Sequence, residues 1–148
     1  MTNGQEAAFP KRVIKFRAWE LPQTELFCKT RGLSFNPDFK GQMVHAVHKR
    51  SLLSYIIDHP KEYILMQFTG LHDKNGKEIW EGDIIHSYSS LPMVVIKHPY
   101  GWGVEFNAPE GKATEQITAD FFREAHDDDG IEDLGNRFEN PELLGEKS

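Results

Sequence analysis

The stretch that decides the fold is FTGLHDKNGKEIWEGDIIHSY, residues 68–88. Asn75-Gly76 is a dipeptide that tolerates positive φ at both central positions of a tight hairpin turn. Asp73 precedes this turn, where an aspartate side chain hydrogen-bonds to its own backbone. Gly82 permits a second reversal before an apolar strand begins. The stretch therefore predicts strand, turn, strand and turn in succession, and it requires no catalytic role to explain its composition.

Short strand-like segments recur on both sides of this stretch. RVIKFRAW, residues 12–19, alternates in polarity as a half-buried strand does, and EYILMQFTG, residues 62–70, predicts an apolar strand that ends at Gly70. Four more segments predict strands: 84–90, 93–98, 101–106 and 131–138. Many short strands separated by frequent turn signals are typical of a small β-barrel.

The connection between the first two strands gives weaker signals. ELFCKTRGLSF, residues 25–35, and GQMVHAV, residues 41–47, predict short strands around a turn. SLLSYIIDHP, residues 51–60, predicts a short helix capped by Ser51 and stopped by its final proline. The connection is therefore expected to be mixed α and β.

Two further capped turns are expected in the second half of the chain. Thr118 is a candidate N-cap for one or two helical turns over residues 118–125. Asn140 followed by Pro141 predicts a terminal helical turn, because proline suits the first helical position. Residues 1–10 are polar and are expected to form a flexible N-terminus.

Composition predicts a soluble protein of a reducing compartment. The net charge is −6, which does not favour phosphate backbones, although the first half is basic and the second half is strongly acidic. The halves are expected to complement each other, while the alternative is a basic face for an acidic partner or head-to-tail association. Cys28 is the single cysteine, which excludes an intrachain disulfide. No secretory signal or membrane span is recognisable, so we expect a cytoplasmic location and no membrane partner.

Residue clusters that carry chemistry in other proteins are weak here. The acidic loop lacks the alternating carboxylates of a calcium loop, so a solvated loop is favoured; it comprises Glu124, His126, Asp127, Asp128, Asp129, Glu132 and Asp133. His45 and His48 have no third ligand at zinc spacing. A further three histidines are candidate general bases without an assigned nucleophile: His72, His86 and His98. We therefore predict no catalytic residue, no metal site and no cofactor.

Basic and aromatic side chains suggest an interaction surface instead. Trp19 shares a predicted strand face with Lys15 and Arg17, which makes it a candidate for stacking on the bases of a single-stranded nucleic acid. Exposed aromatic and arginine side chains are also frequent anchors of protein interfaces. The predicted interaction surface comprises Lys15, Arg17, Trp19, Lys49, Arg50, Trp80, Tyr100 and Trp102.

Three separated blocks carry a family resemblance. IKFRAW at 14–19, LMQFTGLHDKNGKEIWEGDII at 65–85 and LGNRFENPELL at 134–144 together resemble the YopX protein family of bacteriophages and prophages. Phe68, His72 and Trp80 replace residues usual in the family, and Arg137 stands where an apolar residue is usual. The resemblance implies a mainly β domain with a small SH3-like β-barrel core, of phage or prophage origin in a bacterial host cytoplasm. Together with the mixed connection, the expected fold is an SH3-like β-barrel with an α+β extension. The resemblance transfers no activity and no site residues.

These observations combine into one functional expectation. Residues 11–148 are expected to form a single YopX-like domain, with a variable extension at 20–62 and a barrel core at 63–144. We expect a non-enzymatic binding or adaptor module that contacts a host or phage protein or forms a homo-oligomer. The alternatives are a small barrel that binds single-stranded nucleic acid and an uncharacterised enzyme.

Overall fold

The structure is a computed structural model that describes residues 14–45, 50–87, 91–99, 101–118 and 130–145. Its strands are β1 Phe16–Glu20, β2 Gln42–Val44, β3 Tyr63–His72, β4 Glu78–Trp80, β5 Asp83–His86, β6 Met93–His98, β7 Gly101–Ala108, β8 Gly111–Gln116 and β9 Glu132–Asn136. Its helices are α1 Glu25–Thr30, α2 Arg50–Ile57 and a terminal 3₁₀ helix, Pro141–Leu144. The predicted mainly β composition is confirmed.

The strands form two antiparallel sheets. The first sheet has the order β2-β1-β3-β4, and the second has the order β8-β7-β6-β5-β9. The second sheet curls into a half-barrel, and β9 approaches the β3–β4 turn, where the Lys74 N–H donates to the Ile131 carbonyl at 2.8 Å. The predicted barrel-like fold is therefore confirmed, with β3 and β4 helping to close it.

The β3–β4 turn has the predicted geometry. Asp73 Oδ1 accepts hydrogen bonds from the N–H groups of Asn75 at 2.8 Å and Lys77 at 2.9 Å. Gly76 has a φ of 83°, which a glycine adopts without steric cost. The predicted end of β3 at Gly70 is wrong, because a register shift at that point lets the strand continue.

Apolar side chains form two separate cores. The barrel core is built from six buried side chains: Ile79, Ile85, Met93, Val95, Val104 and Ile131. The second core lies between α2 and the first sheet, where Ile56 packs against Ala18. Tyr63 and Leu65 of β3 border this second core, while Leu71 of the same strand borders the barrel core. One long strand thus contributes to both cores.

The extension differs in part from its prediction. Residues 25–30 form α1 rather than a strand, because Thr24 Oγ1 accepts from the Phe27 N–H at 3.1 Å and caps a helical turn. β2 and α2 match the predicted strand and helix. Ser51 is not the cap of α2, since the helix already begins at Arg50.

The C-terminal segment contains the predicted strand and turn. β9 leads into the 3₁₀ helix, but the Asn140 side chain does not cap that helix. Asn140 Oδ1 instead accepts from the Asn136 N–H at 3.2 Å and so closes a loop just after β9. Residues 119–125 of the predicted helix and the flexible terminus predicted at 1–10 lie outside the described residues.

Candidate functional site

Two residues of the predicted interaction surface are buried. Arg17 is 6% exposed and Trp19 is 8% exposed, so the expectation that both face solvent is wrong. Their face of β1 is covered, because Trp19 stacks on Phe138 with ring centroids 5.3 Å apart and Arg17 pairs with Asp83. A buried, stacked indole is not free to stack on a base.

Two other predicted residues lie beside this buried pair. Lys15 forms an ion pair with Glu78, and its ammonium lies 4.8 Å from the centre of the Phe68 ring. The Arg17 guanidinium lies 5.2 Å from the centre of the Trp80 ring. The structure thus brings Lys15, Arg17 and Trp80 together, mainly through contacts within the protein.

The remaining predicted residues lie in other parts of the fold. Trp102 on β7 is half-buried against the barrel core, and Lys97 lies over its ring at 4.6 Å. Arg50 is exposed at the start of α2. Lys49 and Tyr100 lie outside the described residues.

A polar cluster formed by Arg17, Asp83, Lys77 and Asp133 joins the two sheets. The Arg17 guanidinium donates to Asp83 Oδ1 at 2.6 Å, and Lys77 Nζ donates to Asp133 Oδ1 at 3.2 Å. Burial and contact with Asp133 raise the pKa of Asp83 to about 8, although Arg17 opposes this shift. The expectation that the acidic segment is solvated is wrong for Asp133, whose side chain is only 1% exposed.

One of the proposed histidines has a carboxylate partner. His86 Nε2 lies 3.3 Å from Glu132 Oε2, between β5 and β9. Both side chains are more than a third exposed. The pair is therefore an exposed cross-strand contact.

A wide groove lies on the extension. It has a volume of about 370 Å³ and is formed where α1 and the following loop meet the end of β1. Leu33, Phe35 and Phe39 line it with apolar surface, and Glu20 and Gln23 supply polar groups. Leu33 is 55% exposed and Phe35 is 39% exposed, so this apolar surface faces solvent.

Residues 15–145 match the model of the YopX protein family. The chain belongs to this family. No curated protein matches the sequence. Among solved structures, the crystal structure of protein EF1440 from Enterococcus faecalis is 22% identical, over 90% of this chain and 99% of that chain, with a TM-score of 0.39.

The three YopX blocks of the sequence meet in space. Arg17 of the first block pairs with Asp83 of the second, and Trp19 of the first stacks on Phe138 of the third. The blocks therefore form the joint between the two sheets. Arg17, Trp19 and Phe138 thus have structural partners, whereas the exposed apolar side chains Leu33 and Phe35 of the extension line a groove.

Sequence reasoning missed the groove on the extension. Its apolar residues follow neither a strand nor a helix period, because Leu33 and Phe35 lie in the loop after α1. The available signal was the occurrence of large apolar side chains in a segment without periodicity. In a folded loop such side chains are often exposed, and a cluster of them marks an interaction site.

No helix of the described residues is long and apolar enough to cross a membrane.

Proposed function

We propose that this YopX protein is a non-enzymatic, phage-encoded module that binds a short segment of a partner protein in the groove of the extension. The observation that carries the proposal is the solvent-exposed apolar lining formed by Leu33 and Phe35. Apolar side chains that line a concave surface lose contact with water when a partner side chain fills it. The groove is large enough to receive one aliphatic or aromatic side chain.

The charge of the residues that line the groove indicates which charge the partner segment should carry. Glu20 is the acidic side chain of the groove, and none of the described lining residues is basic. Its carboxylate accepts a hydrogen bond from Gln42 Nε2 at 2.6 Å, which fixes its position at the end of β1. A negative group at the groove repels phosphate and attracts a cation. The proposed ligand is therefore a protein segment with an apolar anchor next to a lysine or arginine.

Selection from a displayed library of random short peptides tests the proposal. We expect enrichment of peptides that combine an apolar anchor with an adjacent basic residue. Phe35→Asp is expected to weaken their binding about tenfold or more, because it places a charge in the apolar groove. Glu20→Gln should weaken binding to a smaller extent by removing the attraction for the base. Affinities are measured by fluorescence polarisation.

Leu91→Asp is the matched control. Leu91 is 65% exposed and does not line the groove, so its substitution should leave peptide binding unchanged. Circular dichroism of each variant verifies that the fold is retained. Peptides that bind Phe35→Asp as tightly as the unmodified protein would contradict the proposal. The proposal would also be contradicted if no peptide were enriched. Binding of a single-stranded oligonucleotide would then favour the nucleic-acid-binding alternative, and formation of a dimer would favour the homo-oligomer.

A further inference from the structure

Two aspartates lie side by side in the joint between β5 and β9. Asp83 begins β5, and Asp133 lies opposite Ile85 in the antiparallel pairing of the two strands. The Asp133 carboxyl is close enough to the Asp83 carboxyl to raise its pKa. Their side chains are 4% and 1% exposed, so solvent does not screen them from each other.

The charges around this pair do not balance if both aspartates are ionised. Arg17 from β1 is the buried cation, and Lys77 from the β3–β4 turn is 56% exposed at its side chain. Two further acidic residues face the cluster. Asp73 Oδ2 accepts a hydrogen bond from the Asp133 N–H at 3.0 Å. The backbone carbonyl of Glu81 accepts a hydrogen bond from Arg17 at 3.3 Å, and the Glu81 carboxylate is close enough to Arg17 to interact with its charge. Negative charge would therefore exceed positive charge in the protein interior.

The hydrogen bonds around the pair also lack one proton. Asp83 Oδ1 accepts from Arg17, and Asp83 Oδ2 accepts from the Trp80 N–H at 2.9 Å. Asp133 Oδ1 accepts from Lys77 and from the Gly135 N–H at 3.0 Å. Asp133 Oδ2 is buried and has no donor among the described residues. An unsatisfied buried carboxylate oxygen is costly, and a proton on the neighbouring carboxyl would satisfy it.

We propose that Asp83 and Asp133 share one proton at neutral pH, and that this proton holds β9 closed against β5 and the β3–β4 turn. The shared proton supplies the missing hydrogen bond and removes one negative charge from the joint. Its loss leaves two adjacent buried carboxylates that repel each other across the two strands. β9 is the strand at the end of its sheet, so this repulsion loosens the closure of the half-barrel.

The direction of the pH dependence follows from the Asp83 carboxyl. Its pKa in the folded protein is raised to about 8 by burial and by the Asp133 carboxyl, from a usual value of 3.8. The folded state therefore keeps a proton that the unfolded chain has already released. The stabilisation is fully present in acid, below the unfolded pKa, and it is lost as the pH rises through the folded pKa.

Asp133→Asn mimics the protonated pair. The amide oxygen can still accept from Lys77 and Gly135, and the amide nitrogen takes the position of the unsatisfied Oδ2 and donates to Asp83. We expect the melting temperature of the unmodified protein to fall between about pH 4 and pH 8, the unfolded and folded pKa values of Asp83, and to level off above that range. The variant should show a clearly smaller fall and melt above the unmodified protein at the alkaline end. Asp38→Asn, at an exposed aspartate, should retain the unmodified pH profile.

Carbon-13 NMR of the side-chain carboxyls tests proton sharing directly in the unmodified protein. We expect the Asp83 carboxyl resonance to titrate with an apparent midpoint near pH 8. The proposal is overturned if this resonance completes its titration below about pH 5, where ordinary aspartates titrate. It is also overturned if Asp133→Asn folds and its melting temperature falls with pH as steeply as that of the unmodified protein. The NMR result decides the matter even if the variant does not fold.

Discussion

Asp73 shows how a single side chain determines the geometry of the hairpin and of its neighbour. Its carboxylate accepts N–H groups of Asn75 and Lys77 in its own turn and of Asp133 in β9. Burial opposes ionisation of Asp73, but the hydrogen bonds outweigh it, so the pKa of this carboxyl is lowered. The same residue therefore shapes the turn and fastens the last strand to it.

Asp73→Ala is expected to destabilise the protein by about 3 kcal/mol near neutral pH, because it leaves several backbone donors without an acceptor. The pKa of Asp73 is lower in the folded protein than in the unfolded chain. The stabilisation that Asp73 provides is therefore present above the unfolded pKa, and it is lost as the pH falls through the folded pKa. Urea unfolding at a series of pH values measures it. The exposed control Asp38→Ala should change stability by less than about 0.5 kcal/mol. A constant difference between Asp73→Ala and the unmodified protein down to strong acid would contradict this account.

At the residue scale, the sequence predicted the contacts that are local in the chain. Asp73 and Gly76 were recognised because a turn depends on residues close to each other in sequence. The burial of Arg17 and Trp19 was not predictable in this way. Alternation along β1 shows which residues share a face, but it does not show that Asp83 and Phe138, far away in the chain, cover that face.

At the level of single elements, β9 depends on a close approach of backbone to side chain. Gly135 has a φ of 140°, and a Cβ added there would overlap the Asn140 side chain. That side chain holds the loop that follows β9. The strand and its loop can therefore pack together because residue 135 has no side chain.

Gly135→Ala is expected to cost about 2–4 kcal/mol, from positive φ and from overlap with Asn140. Gly111→Ala is the matched control, since Gly111 also has a positive φ, 124°, but nothing lies within 4 Å of an added Cβ. The control should cost only the backbone strain, about 1–2 kcal/mol. Chemical denaturation measures both. Equal losses for the two variants would show that crowding at Asn140 is not important.

Elements with strong internal signals were predicted, and the exceptions have physical causes. The segments of β1 and β7 were found because the strand period is visible over several residues, and β6 was found because it is a short apolar run. The segment that forms α1 was predicted as a strand because six residues are too few to distinguish a helical period. Its helical state depends on the Thr24 side-chain cap.

At the scale of the whole molecule, β3 connects the two apolar cores. Leu65 borders the core beneath α2, and Leu71 borders the barrel core, so both depend on the same strand. The ion pair of Arg17 with Asp83 adds a second connection between the sheets. The two cores are therefore expected to unfold together.

Ile56→Ala tests this cooperativity. Ile56 is 1% exposed, so its truncation should cost about 2–5 kcal/mol. Its neighbour Ile57 is 56% exposed, and Ile57→Ala should have an effect below about 0.5 kcal/mol. We expect circular dichroism and tryptophan fluorescence to report one coincident transition that shifts as a unit in Ile56→Ala. Two separate transitions, with only one displaced by the substitution, would show that the cores unfold independently.

The pairing of β5 with β9 also has a consequence during synthesis on the ribosome. β5 ends at residue 86, whereas its partner on one side is completed only at Asn136. A nascent chain can form the β5–β6–β7–β8 meander first, while the other edge of β5 still presents unpaired backbone groups. Such an edge is a template for association with another chain. Ribosome stalling before residue 136 would therefore yield a fragment prone to aggregation, although nearly all of its barrel strands have been made.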